Sequence, residues 1–173
     1  MRKTNFVIKL VIALVAVSTG VVFGARNETV GRALSLLRPD VKVKITGAVK
    51  RSSEILPLDK VQSVDSGEVL DWSIVSANEG NASARNYQVI GQIPRGTEFV
   101  EGSGVGEGSP KVEFSIDGGR SFSTQPMIDA KQPDGTVKQV PAPVSKYTQL
   151  RFQWSSELPP GAQLTAGYRV RVR

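Results

Sequence analysis

From Val41 to Val172, apolar side chains recur at every second position through most of the chain, a period that builds strands and works against helices. The densest stretch is Ser66–Val100, SGEVLDWSIVSANEGNASARNYQVIGQIPRGTEFV. Within it Val69–Ala77 and Arg85–Ile93 read as alternating strands on either side of an Asn78-Glu79-Gly80-Asn81 turn, and a Pro94-Arg95-Gly96-Thr97 corner opens a third strand. The same alternation groups Val41, Val43, Ile45 and Val49 against Lys42, Lys44 and Thr46. It also groups Leu70, Trp72 and Ile74; Tyr87, Val89 and Ile93; Val112, Phe114 and Ile116; and Leu150, Phe152 and Trp154. The closing strand places Leu164, Ala166, Tyr168, Val170 and Val172 on one face and Thr165, Arg169, Arg171 and Arg173 on the other. Glu54–Val64 is less regular and carries Pro57, which removes a ladder donor and marks an edge strand or a loop. These faces predict an all-β chain, an antiparallel β-sandwich of about 7–9 strands over residues 41–173. Its anchors are expected to be Trp72, Trp154, Phe114, Phe152 and Tyr168.

Residues 1–24, MRKTNFVIKLVIALVAVSTGVVFG, follow a different rule. Arg2, Lys3 and Lys9 precede an apolar run from Leu10, and Val22 and Gly24 stand at the −3 and −1 places of a small-residue cleavage site. This is the layout of a secretory signal peptide, with an uncleaved membrane anchor as the competing reading. As a helix, Leu10–Ala25 would be roughly 24 Å long, short of the ~30 Å hydrocarbon core. The chain is therefore expected to be exported, and to be periplasmic, cell-surface or secreted; membrane attachment would follow only from retention of this segment. Residues 25–40 read as a linker or short helix, with Val30, Ala33, Leu34 and Leu37 at helical spacing and Pro39 as the stop.

Composition narrows the chemistry. The chain has neither Cys nor His, so thiolate ligands, disulfides, imidazole ligands and the commonest general base are all lacking. Of the formal net charge of +6, Arg2, Lys3 and Lys9 account for half, so the remaining +3 is a weak footprint for nucleic acid, which is not expected as a partner. The loop carboxylates Glu101, Glu107, Asp129 and Asp134 lie in Gly- and Pro-rich surroundings, a poor holder for the fixed separation that a glycosidase needs. No catalytic residue, cofactor site or metal site is assigned.

Several features invite a binding reading. Ser115–Phe122, SIDGGRSF, resembles an Asp-box hairpin: Asp117 can accept turn amide hydrogens, the glycines permit positive φ, and Phe122 is expected to fold back on the core. A sugar or calcium contact is the functional reading, and a self-satisfied turn is the structural one, which carries more weight. Lys42, Lys44, Arg169, Arg171 and Arg173 would form one basic face if the first and last strands are neighbours. That face would suit anionic glycans or lipid headgroups; otherwise it is a solvated, edge-protecting stripe. Two segments read as loops. Glu101–Pro110 is Gly- and Ser-rich and is expected to be mobile, and Thr124–Lys146 is long and Pro-rich. Inside the second, Asp134-Gly135 predicts a turn that pairs Thr136–Val140 with Met127–Lys131 as a small ribbon. Asp134 and Tyr147 join the candidate interaction surface.

Taken in order, Ser66-Gly67, Trp72–Val75, Asn78-Glu79-Gly80, Ala84-Arg85-Asn86, Ile93–Val100, Ser115–Phe122, Tyr147–Phe152, Pro160-Gly161 and Tyr168–Val172 carry a resemblance. They look like an Ig-like conserved-repeat module of bacterial surface proteins, the eleventh in the series of domains of unknown function. The resemblance spans roughly Val41–Arg173. It implies an immunoglobulin-like sandwich in a cell-envelope setting, with no shared catalytic site; a single copy stands here where many relatives carry tandem arrays. The expectation is a non-catalytic exported module for structure, adhesion or interaction. Its partners would be envelope proteins or polysaccharides, or other copies joined through strand edges. A glycan-binding accessory domain is the alternative, and Tyr147 is its best aromatic.

Overall fold

A computed structural model describes residues 37–173; the signal segment, and the helix expected before Leu37, lie outside the described residues. Eleven strands are described: β1 (Val41–Arg51), β2 (Glu54–Pro57), β3 (Val69–Asn78), β4 (Gln88–Gln92), β5 (Thr97–Phe99), β6 (Val105–Gly106), β7 (Lys111–Ser115), β8 (Met127–Lys131), β9 (Val137–Pro141), β10 (Gln149–Gln153) and β11 (Gln163–Val172). All their pairings are antiparallel. One sheet runs β2-β1-β3-β11-β5, with the short β6 also paired to β11, and a smaller sheet runs β4-β10-β7. The ribbon β8-β9 belongs to neither. The nine strands of the two sheets form the all-β antiparallel sandwich that the alternation predicts.

Pleating explains the core. In β3, Leu70, Trp72, Ile74 and Ser76 point inward, and in β11 Ala166, Tyr168, Val170 and Val172 do the same; all eight are buried. The small sheet answers with Val89, Leu150 and Phe152, and Tyr87 and Trp154 flank it. Two hydroxyls tie the layers together. Tyr168 donates to the Gln92 carbonyl at 2.6 Å, and Tyr87 donates to Ser76 Oγ at 2.8 Å. Buried tyrosines need such partners, because an unpaired buried hydroxyl costs about 1–3 kcal/mol. Burial raises both phenol pKa values.

Asn78 organises the turn that the sequence announces. It is 1% exposed, and its amide donates to the Ala82 and Leu158 carbonyls at 2.8 and 2.9 Å. Its Oδ1 accepts from the Asp40 and Gly80 N–H groups, each at 3.1 Å. Gly80 lies against the incoming chain, where a Cβ would stand 2.3 Å from the Arg38 carbonyl oxygen.

Two expectations are corrected and one holds. The strand expected over Arg85–Ile93 narrows to Gln88–Gln92, because Asn86 takes φ 51°, outside the β region. Glu101–Pro110 is pinned rather than loose. Val105 and Gly106 pair with β11, the Trp154 indole donates to the Glu107 carbonyl at 2.7 Å, and the Thr165 N–H donates to Glu107 Oε2 at 2.8 Å. Pro57 does end a short edge strand, and the chain then makes one 3-10 turn over Leu58–Lys60. The Arg51–Glu68 ion pair at 2.7 Å fastens the rest of that excursion, with Arg51 also donating to the Ser63 carbonyl.

Candidate interaction surfaces

The Ser115–Phe122 hairpin grows out of β7. Its ends close where Phe114 and Ser123 exchange backbone hydrogen bonds of 2.7 and 3.0 Å. Asp117 accepts from the Ser115 and Ser121 hydroxyls at 2.7 and 2.6 Å, and from the Arg120 and Ser121 N–H groups at 3.0 Å each. The Ser121 and Ser115 hydroxyls, in that order, do most to hold its carboxyl far below the usual carboxylate range. Gly118 and Gly119 take φ 76° and 92°, as the turn requires. The carboxylate serves its own loop, which matches the structural reading of the motif.

Phe122 does not fold back on the core. It lies under the Arg151 guanidinium, 4.5 Å from ring centroid to Cζ, on the outer face of the small sheet. Arg151 in turn pairs with Glu113, opposite it in the β10–β7 register, and Lys111 Nζ reaches Glu113 Oε1 at 2.8 Å. The hairpin thus covers a carboxylate whose side chain is only 7% exposed. Lys111 chiefly, and Arg151 after it, lower the Glu113 pKa against the opposing effect of burial. Sequence reading missed this network. Arg151 lies 38 residues along the chain from Glu113, and only the alternation of Glu113 between Val112 and Phe114 hinted at an outward carboxylate.

The basic residues do not gather. β3 lies between β1 and β11, so the first and last strands are not neighbours. Lys42 and Lys44 register with Ala77 and Val75 near one end of β3, whereas Arg169 and Arg171 register with Asp71 and Val69 at the other. Arg169 therefore faces Asp71, and Arg171 faces Glu98 across β5, so acidic neighbours interleave with the arginines. β11 is also an interior strand, which removes the edge-protecting role from its arginines. Arg173 donates through Nε and Nη2 to the Thr97 carbonyl and fastens the chain end.

The long segment carries the expected ribbon. β8 and β9 pair from Met127↔Pro141 to Lys131↔Val137, and no residue of either strand is buried. At its base the Ala142 N–H donates to the Pro126 carbonyl at 2.8 Å. At its tip Asp134 accepts from the Thr136 hydroxyl at 2.6 Å and from the Thr136 N–H at 2.9 Å, and these bonds lower its pKa. Val137 is 66% exposed and Met127 is 42% exposed, so the ribbon presents apolar surface to solvent. Tyr147, beyond the ribbon, stacks on Phe114 at 4.6 Å and meets Phe99 at 6.3 Å. Partial burial, and then the Glu101 charge, raise its pKa. A ring committed to that cluster is a poor platform for a sugar.

Among the described residues no group of three or more acidic side chains is placed to hold a metal ion, and no helix is long and apolar enough to cross a membrane. No family model, curated protein or solved structure matches the chain.

Proposed function

We propose that this chain is an exported, non-catalytic structural or interaction module of the bacterial cell envelope, close in kind to the surface-repeat domains it resembles. The observation that carries this reading is the division of labour between core and ribbon. A two-sheet core with hydroxyl cross-ties supports a ribbon, Met127–Pro141, that buries none of its own strand residues and exposes Met127 and Val137. Rigid scaffolds with projecting loops are a common basis for recognition. The carboxylates with lowered pKa support the same reading. Asp117, Glu113, Glu68 and Asp134 each serve a turn or an ion pair of the fold.

Export follows from the signal-like residues 1–24, and intact mass of material recovered outside the cytoplasm tests it directly. Contact through the ribbon is tested by deleting Gln132–Val140 and measuring retention on envelope extract and on purified envelope polysaccharide. Lost retention on extract with polysaccharide binding unchanged supports a protein-contacting module. Loss on polysaccharide itself would favour the glycan-binding alternative, for which the stacked Tyr147 offers little.

A further inference from the structure

We propose that the open edge of β1, at Val41–Ile45, receives an extended acidic peptide segment of a partner protein as an added strand. The inference rests on the module reading and names the chemistry of its partner.

The edge follows from register. β2 covers only Ala48–Arg51 of β1, and among the described residues nothing pairs with the earlier part of that side. The Asp40 N–H and C=O both point toward the β3 side, to Asn78 Oδ1 and to the Glu79 N–H. Backbone groups alternate along an antiparallel strand, so Lys42 and Lys44 continue toward β3. Val41, Val43 and Ile45 therefore direct their N–H and C=O groups outward, away from β3. Their side chains are half-buried on the core face, while Lys42 and Lys44 stand exposed on the outer face. An incoming strand would thus meet backbone donors and acceptors along the edge and two lysines beside it, Lys44 and Lys42, the latter also bonded to Asp40 Oδ1 at 2.9 Å.

Those charges select the occupant. In a second copy paired antiparallel, odd residues must meet odd ones. The register that joins all three edge residues then sets Lys42 against Lys44 twice, and like charges directly opposite are destabilising. Aspartate or glutamate at the outward positions of a partner strand reverses the sign. Main-chain hydrogen bonds would supply affinity, and alternate side chains would supply specificity.

The edge runs into a groove of about 840 Å³ where β2 ends and residues 58–64 swing away; Lys44, Ile45, Gly47, Leu58, Val61 and Trp72 are among its lining. Trp72, 6% exposed, carries the one buried side-chain nitrogen or oxygen without a hydrogen-bond partner among the described residues, its indole N–H. Such orphaned donors are rare in folded chains. A peptide brings apolar side chains for the groove, whose lining includes Trp72.

The test uses two soluble eight-residue probes, one alternating valine with glutamate and the other valine with lysine, added to the isotope-labelled chain. With the glutamate peptide, exchange of the Val43 and Ile45 amides should slow about tenfold or more, and the Trp72 indole resonance should shift. The lysine peptide should do neither. Val43→Pro removes an outward N–H while leaving the β1–β3 ladder intact, and it should abolish the response. Lys42→Glu with Lys44→Glu should transfer the response to the lysine peptide, and this variant decides if Val43→Pro fails to fold. Equal response to both probes or no response overturns the proposal. So does protection that rises with protein concentration alone, which would mark a second copy. Failure of the peptide while the chain is still retained on envelope extract sinks this proposal only; loss of retention as well sinks the module reading.

Discussion

The ring of Tyr168 lies against the backbone of Gly91, where a Cβ would stand 2.5 Å from Cε1. The contact joins the two sheets at their centre, and the Tyr168 hydroxyl completes it at the Gln92 carbonyl. Gly91 is thus a close-approach glycine within a strand. Its replacement by Ala should cost about 1–3 kcal/mol, because the methyl must displace a ring in a packed core. Chemical denaturation of Gly91→Ala checks this, and an unchanged midpoint would show that the ring can move aside. Tyr168→Phe keeps the ring and should cost about 1 kcal/mol for the lost hydrogen bond.

Asn78 uses both amide hydrogens and accepts two further bonds at its oxygen, all at 1% exposure. Asn78→Ala should destabilise by about 1–3 kcal/mol for each partner left buried without water, several-fold more than removal of a surface turn residue. Thermal unfolding beside an Asp134→Ala control, at the exposed ribbon tip, gives the comparison. Similar losses for the two variants would contradict the role assigned to Asn78.

Glu113 sets an acid limit. Its folded pKa lies below the ordinary value of 4.5, chiefly through Lys111 and then Arg151. A depressed carboxylate contributes stability that is present above the unfolded pKa and is lost as pH falls through the folded one. Stability should therefore decline as pH drops below 4.5, and Glu113→Gln should flatten that decline. Denaturation midpoints taken between neutral pH and pH 3 decide, and identical slopes for the two chains would sink the idea. Arg151→Ala, which leaves Lys111 as partner, should cost about 1–3 kcal/mol at neutral pH.

Phe122 lies over the same network. Phe122→Leu keeps apolar cover and loses the ring face beneath Arg151, so a loss of about 0.5–1 kcal/mol is expected. The loss should disappear in an Arg151→Met background if the guanidinium–ring contact carries it. A double-mutant cycle reads that coupling directly.

The ribbon should be dispensable for folding. Its strands pair only with each other, and the Ala142–Pro126 hydrogen bond closes its base. Joining Pro126 to Ala142 through a short glycine link should leave the unfolding temperature within a few degrees, as expected for a change of well under 1 kcal/mol in a domain of this size. A large drop would mean that the ribbon supports the core.

The alternation of Trp72 with Leu70 and Ile74, and of Tyr168 with Ala166 and Val170, determined which side of each strand faces inward, because side-chain direction in a strand is a local property. The Asp134-Gly135 turn and its ribbon, and the self-satisfied Asp117 loop, were legible for the same reason. Strand order was not legible. Local pattern does not say that β3 stands between β1 and β11, which separates Lys42 and Lys44 from the arginines, or that β2 stops at Ala48, which leaves the Val41–Ile45 edge unpaired among the described residues. The destination of Phe122 and the pinning of Glu101–Pro110 by Trp154 and β11 were likewise tertiary outcomes. Each depends on partners distant in the chain, which only packing brings within reach.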